Sequence, residues 1–154
     1  MCWIGKRTDK RIAENDIKAY KVVLLYTLDE NVLMSPRKFF QYTEGKTYTA
    51  SIFESSSSTV DRIRIDYGLH CYSNKCKFLR YDESLSKDRD CTIHVELERE
   101  QRMLDSGAVH YYSKDAYYNP VVVECTIPKG TKYYRNYAGE IVTEELRIDK
   151  VTEL

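Results

Sequence analysis

The sequence predicts an α+β domain dominated by a β-rich mixed or antiparallel sheet of about six to nine strands, with one or two helices between Asn74 and Asp105. Three observations lead there. The C-terminal stretch Val121-Val122-Val123-Glu124-Cys125-Thr126-Ile127, the turn Pro128-Lys129-Gly130-Thr131, and the runs Tyr133-Tyr134, Gly139-Glu140-Ile141-Val142 and Leu146-Arg147-Ile148 read as strand, turn, strand, turn, strand. Ile17 to Thr27 is apolar on both alternating faces, Tyr20, Val22, Leu24 and Tyr26 on one and Val23 and Leu25 on the other, as a central strand requires. Tyrosine, which suits half-buried strand faces, occurs 14 times in 154 residues.

From the N-terminus, residues 1–15 are polar and basic and form an arm that either packs through Trp3 and Ile4 or frays. After the central strand, Asp29-Glu30-Asn31 is turn material and Val32-Leu33-Met34 pairs back, stopped by Ser35-Pro36. Arg37 to Tyr42 is readable as a helical turn or a short strand. Lys46 to Phe53 alternates as one strand, and the serine run Ser55 to Ser58 is a surface loop. Ile63 and Ile65 alternate with charged residues, and Leu69 to Ser73 continues as another strand after Gly68. Asn74 to Arg80 starts a helix, with Ser73 or Asn74 as its cap. Between Asp82 and Asp105 two patterns compete. Ile93, Val95 and Leu97 alternate as a strand, while Glu96 to Leu104 is rich in helix formers and offers Glu98 and Arg102 as an i,i+4 pair. The length is that of a single domain, residues 1–154, and no repeat of fixed period is present.

Composition excludes more than it names. Twenty-four basic and 24 acidic residues give zero net charge, so bulk attraction to nucleic acid is disfavoured. The halves differ, with 13 Lys/Arg against 9 Asp/Glu before residue 78 and 11 against 15 after it, which suits docking or self-association. No apolar run approaches the ~18 residues that cross a bilayer. Without an apolar leader after Met1, the five cysteines read as reduced thiols of a cytoplasmic protein. Cys71, Cys76, Cys91 and His94 lack two close ligand pairs, so no metal and no cofactor is implied.

Gly45-Lys46-Thr47 resembles the end of a phosphate loop, but Phe40 stands where its first glycine belongs. His70 sits at a strand end, and His94 and His110 have less context. The tyrosine pairs 111–112, 117–118 and 133–134 should each place at least one ring outward. The candidate ligand surface is therefore Tyr20, His70, Tyr72, Tyr133 and Tyr134 with Lys129 and Arg135, rings stacking and cations meeting phosphate or a protein partner. Glu140, Glu144 and His70 are the candidate catalytic groups.

The hairpin ending in Pro128-Lys129-Gly130-Thr131 and the glutamates after it, over some thirty residues, resemble the C-terminal part of ADP-ribosyltransferase-like domains. That resemblance implies a glutamate holding the nicotinamide ribose, here Glu140 or Glu144. Tyr20-Lys21 occupies the place of the family's first motif without its Arg or His, and no Ser-Thr-Ser stands in the middle. More of the chain, including Gly68-Leu69-His70-Cys71-Tyr72-Ser73 and Ile127-Pro128-Lys129-Gly130-Thr131-Lys132-Tyr133-Tyr134, is similar to a family of small uncharacterised bacterial and bacteriophage proteins. It implies an accessory gene product. Three functions follow as expectations: a non-enzymatic binding protein, acting in counter-defence on a nucleotide signal or a host protein; a divergent transferase; or a structural homo-oligomer built through the tyrosine surface.

Overall fold

The computed structural model describes residues 3–26, 28–29, 32–35, 40–56, 58–73, 92–105 and 118–152. Its strands are β1 (Trp3–Gly5), β2 (Lys10–Ile12), β3 (Ile17–Tyr26), β4 (Leu33–Met34), β5 (Gln41–Tyr42), β6 (Thr47–Thr49), β7 (Phe53–Glu54), β8 (Ile63–Tyr67), β9 (Leu69–Tyr72), β10 (Tyr118–Ile127), β11 (Lys132–Arg135), β12 (Glu140–Thr143) and β13 (Glu145–Thr152). One α-helix, α1 (Thr92–Asp105), precedes β10. Every strand pairing among the described residues is antiparallel, which selects the antiparallel alternative over the mixed one.

The large sheet runs β2-β11-β12-β9-β3-β10-β13-β6, with β4 and β5 added on the far half of β3. Its axis is the pairing of β3 with β10, in register from Ile17↔Ile127 to Tyr26↔Tyr118. The other edge of β3 is shared. Tyr20 meets Tyr72 of β9, and Leu24 and Leu25 meet Met34 and Leu33 of β4. Where β9 leaves that edge, the Lys21 ammonium donates to the His70 carbonyl at 2.7 Å.

β12 and β13 are separated by Glu144 alone, yet β9, β3 and β10 lie between them in the sheet. The sheet therefore curls until its two halves meet at that bend. There the Glu144 N–H donates to Lys132 O and the Ala50 N–H donates to Glu144 O, stitching β11 and the end of β6 to the corner. Ala19, Val23, Cys71, Val123, Cys125, Ile127, Tyr133, Ile141, Leu146 and Ile148 fill the inside of the curl. The Pro128–Thr131 turn forms, with Gly130 at φ 90 and the Thr131 N–H donating to Pro128 O. The hairpin does not, because β10 and β11 pair with other strands and β12, β9 and β3 lie between them.

Two layers cover the outer face. The helix lays Leu97 against Tyr20, Val22, Tyr72 and Val122. The small sheet β1-β8-β7 sets Trp3, Ile63 and Ile65 on Tyr134 and Val142. Trp3, 1% exposed, anchors that second layer. Burying one indole removes roughly 200 Å² from water, about 5 kcal/mol at most.

Several readings change. Of the two alternatives for the N-terminal arm, the described residues from Trp3 onward take the packed one, through Trp3 but not the exposed Ile4, and β1 and β2 join different sheets. Lys46 to Phe53 is not one strand, because the Ala50 bond to Glu144 turns the chain out of the large sheet and Phe53 pairs instead with Tyr67. Residues 92–105 are helix rather than strand. Glu96, Leu97 and Glu100 reach the sheet side at helical spacing, and local propensity decides. Tyr133 and Tyr134 are both buried, since β11 has the curl on one side and the small sheet on the other. Arg37 to Tyr42 ends as the short strand β5. The helix expected at 74–80 and the tyrosines 111, 112 and 117 lie outside the described residues.

Gly68 alone joins β8 in the small sheet to β9 in the large one, at φ 134, and a Cβ there would sit 2.5 Å from Val142 Cγ2. Gly68→Ala should cost about 3 kcal/mol or more in urea unfolding, combining backbone strain with overpacking. Gly45→Ala, where a Cβ meets nothing within 4 Å, is the control and should cost less.

Burial pushes the Cys71 thiol from 9.0 up to about 12 and raises Cys125 in the same direction. The folded chain keeps protons that the unfolded chain releases. Stability should thus be complete below pH 9.0 and fall as pH rises towards 12. The loss should reach about 1.4 kcal/mol per pH unit for each such group. Urea midpoints measured across that range should decline, and Cys71→Ala should shallow the slope.

Candidate functional site

The site lies on the outer face at the seam between the two covering layers. Register places Tyr20 beside Tyr72 and Tyr72 beside Glu140, a row across β3, β9 and β12. Tyr20 and Tyr72 are 8% and 6% exposed, so they form the wall behind the seam and not an open stacking surface. Burial pushes the Tyr72 phenol well above the usual tyrosine range. The Glu96 and Glu140 carboxylates add to that shift and the Arg99 guanidinium opposes it. Glu96, itself buried, pairs with Arg99 at 3.5 Å along α1. Tyr72 therefore stays protonated at neutral pH.

Glu140 is held from three sides. Its carbonyl accepts the Trp3 indole N–H at 2.8 Å, and its N–H donates to Asn136 Oδ1 at 3.0 Å. Its Oε1 accepts from Asn136 Nδ2 at 3.1 Å. Asn136, 7% exposed, also donates to Ile4 O at 3.0 Å and accepts from the Ala138 N–H at 3.1 Å. One amide thus fixes the β11–β12 turn, the edge of β1 and the Glu140 carboxylate. Gly5 lets the Trp3 ring fold over its own strand, because a Cβ there would meet Trp3 Cζ2 at 2.7 Å and Asp9 Oδ2 at 2.6 Å.

The turn holds Tyr137, 79% exposed, at its tip. Beneath it opens a cleft of about 520 Å³ lined by Ile4, Lys6, Asp61, Arg62, Tyr137 and Glu140, among others. Lys6 and Arg62 are exposed, and neither side chain forms an ion pair among the described residues. The arrangement offers an aromatic face on a rigid turn, two cations at the rim and a half-buried carboxylate inside.

The other sequence candidates fall elsewhere. Glu144 forms the corner of the curl and pairs with Lys132 at 3.2 Å. It lines a separate hydroxyl-rich depression with Thr131 and Glu145. His70 adjoins Tyr72 on β9 but pairs in register with Val142 under the small sheet. Lys129 is exposed at its turn, its N–H donating to Asp16 Oδ1 at 2.9 Å, and Arg135 is exposed on β11. Tyr133 faces the curl interior and Tyr134 packs on Trp3 at 5.5 Å between centroids. Among the described residues no group of three His, Cys, Asp or Glu is gathered to hold a metal. Of the cysteine–histidine set, Cys71 lies in the interior, while Cys76 and Cys91 are outside the described residues. No helix among the described residues is long and apolar enough to cross a membrane.

Asn136, Tyr137, Lys6 and Arg62 were not singled out by the sequence reading. Asn136-Tyr137-Ala138-Gly139, flanked by two strands, carries a turn signal with Asn first and Gly fourth, and could have been found. Lys6 and Arg62 carry none, being brought together only by the β1–β8 pairing. Compared with protein-family models, curated proteins and solved structures, the chain finds no match.

Asn136→Ala should lower stability by about 2–3 kcal/mol in urea, since it strands buried backbone groups. Tyr137→Ala, at an exposed tip, should stay within about 0.5 kcal/mol.

Proposed function

We propose that this chain is a non-enzymatic binding protein whose ligand, a nucleotide, sits in the cleft beneath Tyr137. The single observation that carries the reading is the convergence there of an exposed ring on a fixed turn with two rim cations, Lys6 and Arg62, that form no ion pair among the described residues. A base stacking on a tyrosine gains about 1–3 kcal/mol, and a guanidinium on phosphate adds a charge-assisted hydrogen bond. The volume falls in the range of small-molecule sites. Asn136 holds the turn before any ligand arrives, so little ordering remains to oppose binding. The resemblance to bacterial and bacteriophage proteins supports an accessory role in the cytoplasm. Sequestering a nucleotide signal in counter-defence is the use such a binder would serve.

One observation favours a second reading. Glu140 lies in a cleft and directly opposite Tyr72, the placement that a divergent ADP-ribosyltransferase-like enzyme would need. Glu144, paired with Lys132 at the corner, has no such placement.

Thermal shift against NAD, ADP-ribose and cyclic di- and trinucleotides should show stabilisation by at least one of them. Tyr137→Ala should weaken that ligand by about tenfold to a hundredfold. Incubation with NAD should leave it intact. No shift with any nucleotide, or undiminished affinity in both Tyr137→Ala and Arg62→Ala, would defeat the binding reading. Release of nicotinamide that Glu140→Gln abolishes would establish the transferase instead.

A further inference from the structure

We infer that the cleft selects nucleotides whose phosphate is a diester, with a single negative charge, over nucleoside triphosphates. This rests on the binding reading above and goes on from the distribution of charge around the cleft. Lys6, Arg62 and Asp61 are exposed and leave the rim with a surplus of one positive charge. Further in stand two half-buried carboxylates, Asp9 and Glu140. Asp9 already accepts the Lys6 N–H at 2.8 Å, which holds its charge in place.

The rim therefore neutralises one anionic group and the interior repels a second. A terminal phosphate carries about −1.5 to −2 near pH 7, and each added phosphate extends the charge beyond the cations. Within roughly 8 Å, one screening length, such repulsion is felt. The Glu140 carboxylate has a complementary use. Oε1 takes the Asn136 amide, and the other oxygen accepts no hydrogen bond among the described residues, leaving it for an amine or hydroxyl donor on the ligand. A donor-bearing base or sugar edge thus points inward and the diester lies at Arg62 and Lys6.

The test is calorimetric titration of the full chain with an adenosine series: adenosine, ATP and the dinucleoside monophosphate of adenosine. The diester should bind at least about tenfold more tightly than ATP, a difference of ~1.4 kcal/mol. Asp61→Asn, at an exposed rim position, should narrow that ratio by strengthening ATP, and added salt should narrow it as well. ATP binding as tightly as the diester, or better, would overturn the inference while leaving the binding reading intact. No binding by any member of the series, with no nucleotide active in the thermal-shift screen, would overturn both.

Discussion

The constraint on which this molecule depends is covalent and geometric: one continuous chain, bent at Glu144, serves two separated places in the same sheet. β12 pairs with β9 and β11, while β13 pairs with β10 and β6. β3 completes the circuit by pairing with both β9 and β10. A flat sheet cannot satisfy these pairings, so the sheet curls and its concave side becomes the aliphatic core. The corner is made affordable by backbone bonds, Glu144 N–H to Lys132 O and Ala50 N–H to Glu144 O. Buried peptide groups left unmatched there would cost several kcal/mol.

Curling determines where a binding site can lie. The inside is filled by Val, Ile, Leu, Cys and Tyr side chains, and the cleft beneath Tyr137 lies on the outer face. Neither covering layer spans that face by itself. The helix reaches β3 and β10, and the small sheet reaches β11 and β12 through Trp3, Tyr134 and Val142. At the seam, polar groups stand beside the buried tyrosines: Glu140, Asn136 and the Glu96–Arg99 pair. Gly68 lets the small sheet approach β12 closely, and Gly5 leaves room for the Trp3 ring.

Much of the scaffold was legible because its signals are local. Residues 17–27 and 121–127 announce strands through their apolar, β-branched runs, and the Pro128–Thr131 turn announces itself, although the strands it joins, β10 and β11, do not pair as a hairpin. Glu140 was legible as a candidate because it follows that turn. The burial of Tyr20, Tyr72, Tyr133 and Tyr134 was not, because exposure of a strand face depends on what covers it. The helix covers Tyr20 and Tyr72, the curl encloses Tyr133, and β1 and β8, far from β11 in sequence, cover Tyr134. Residues 92–105 show a local conflict: alternation at Ile93, Val95 and Leu97 competes with helix-forming composition, and the composition prevails. The cleft was illegible for the same reason as the burial. Lys6, Arg62 and Tyr137 come from three distant segments, and the contacts that unite them, the Gly5–Ile63 pairing and the Asn136 bond to Ile4 O, leave no mark on Lys6 or Arg62.

The measurement that bears most directly on the curled sheet is native-state hydrogen exchange as a function of urea. Amides of β3, β10, β12 and β13, such as Val22, Val122, Val142 and Ile148, should share one opening free energy equal to that of global unfolding. A distinctly lower value for the β11–β12 amides, with β10 and β13 still protected, would mean that the two halves open separately and that the bend at Glu144 does not unite them.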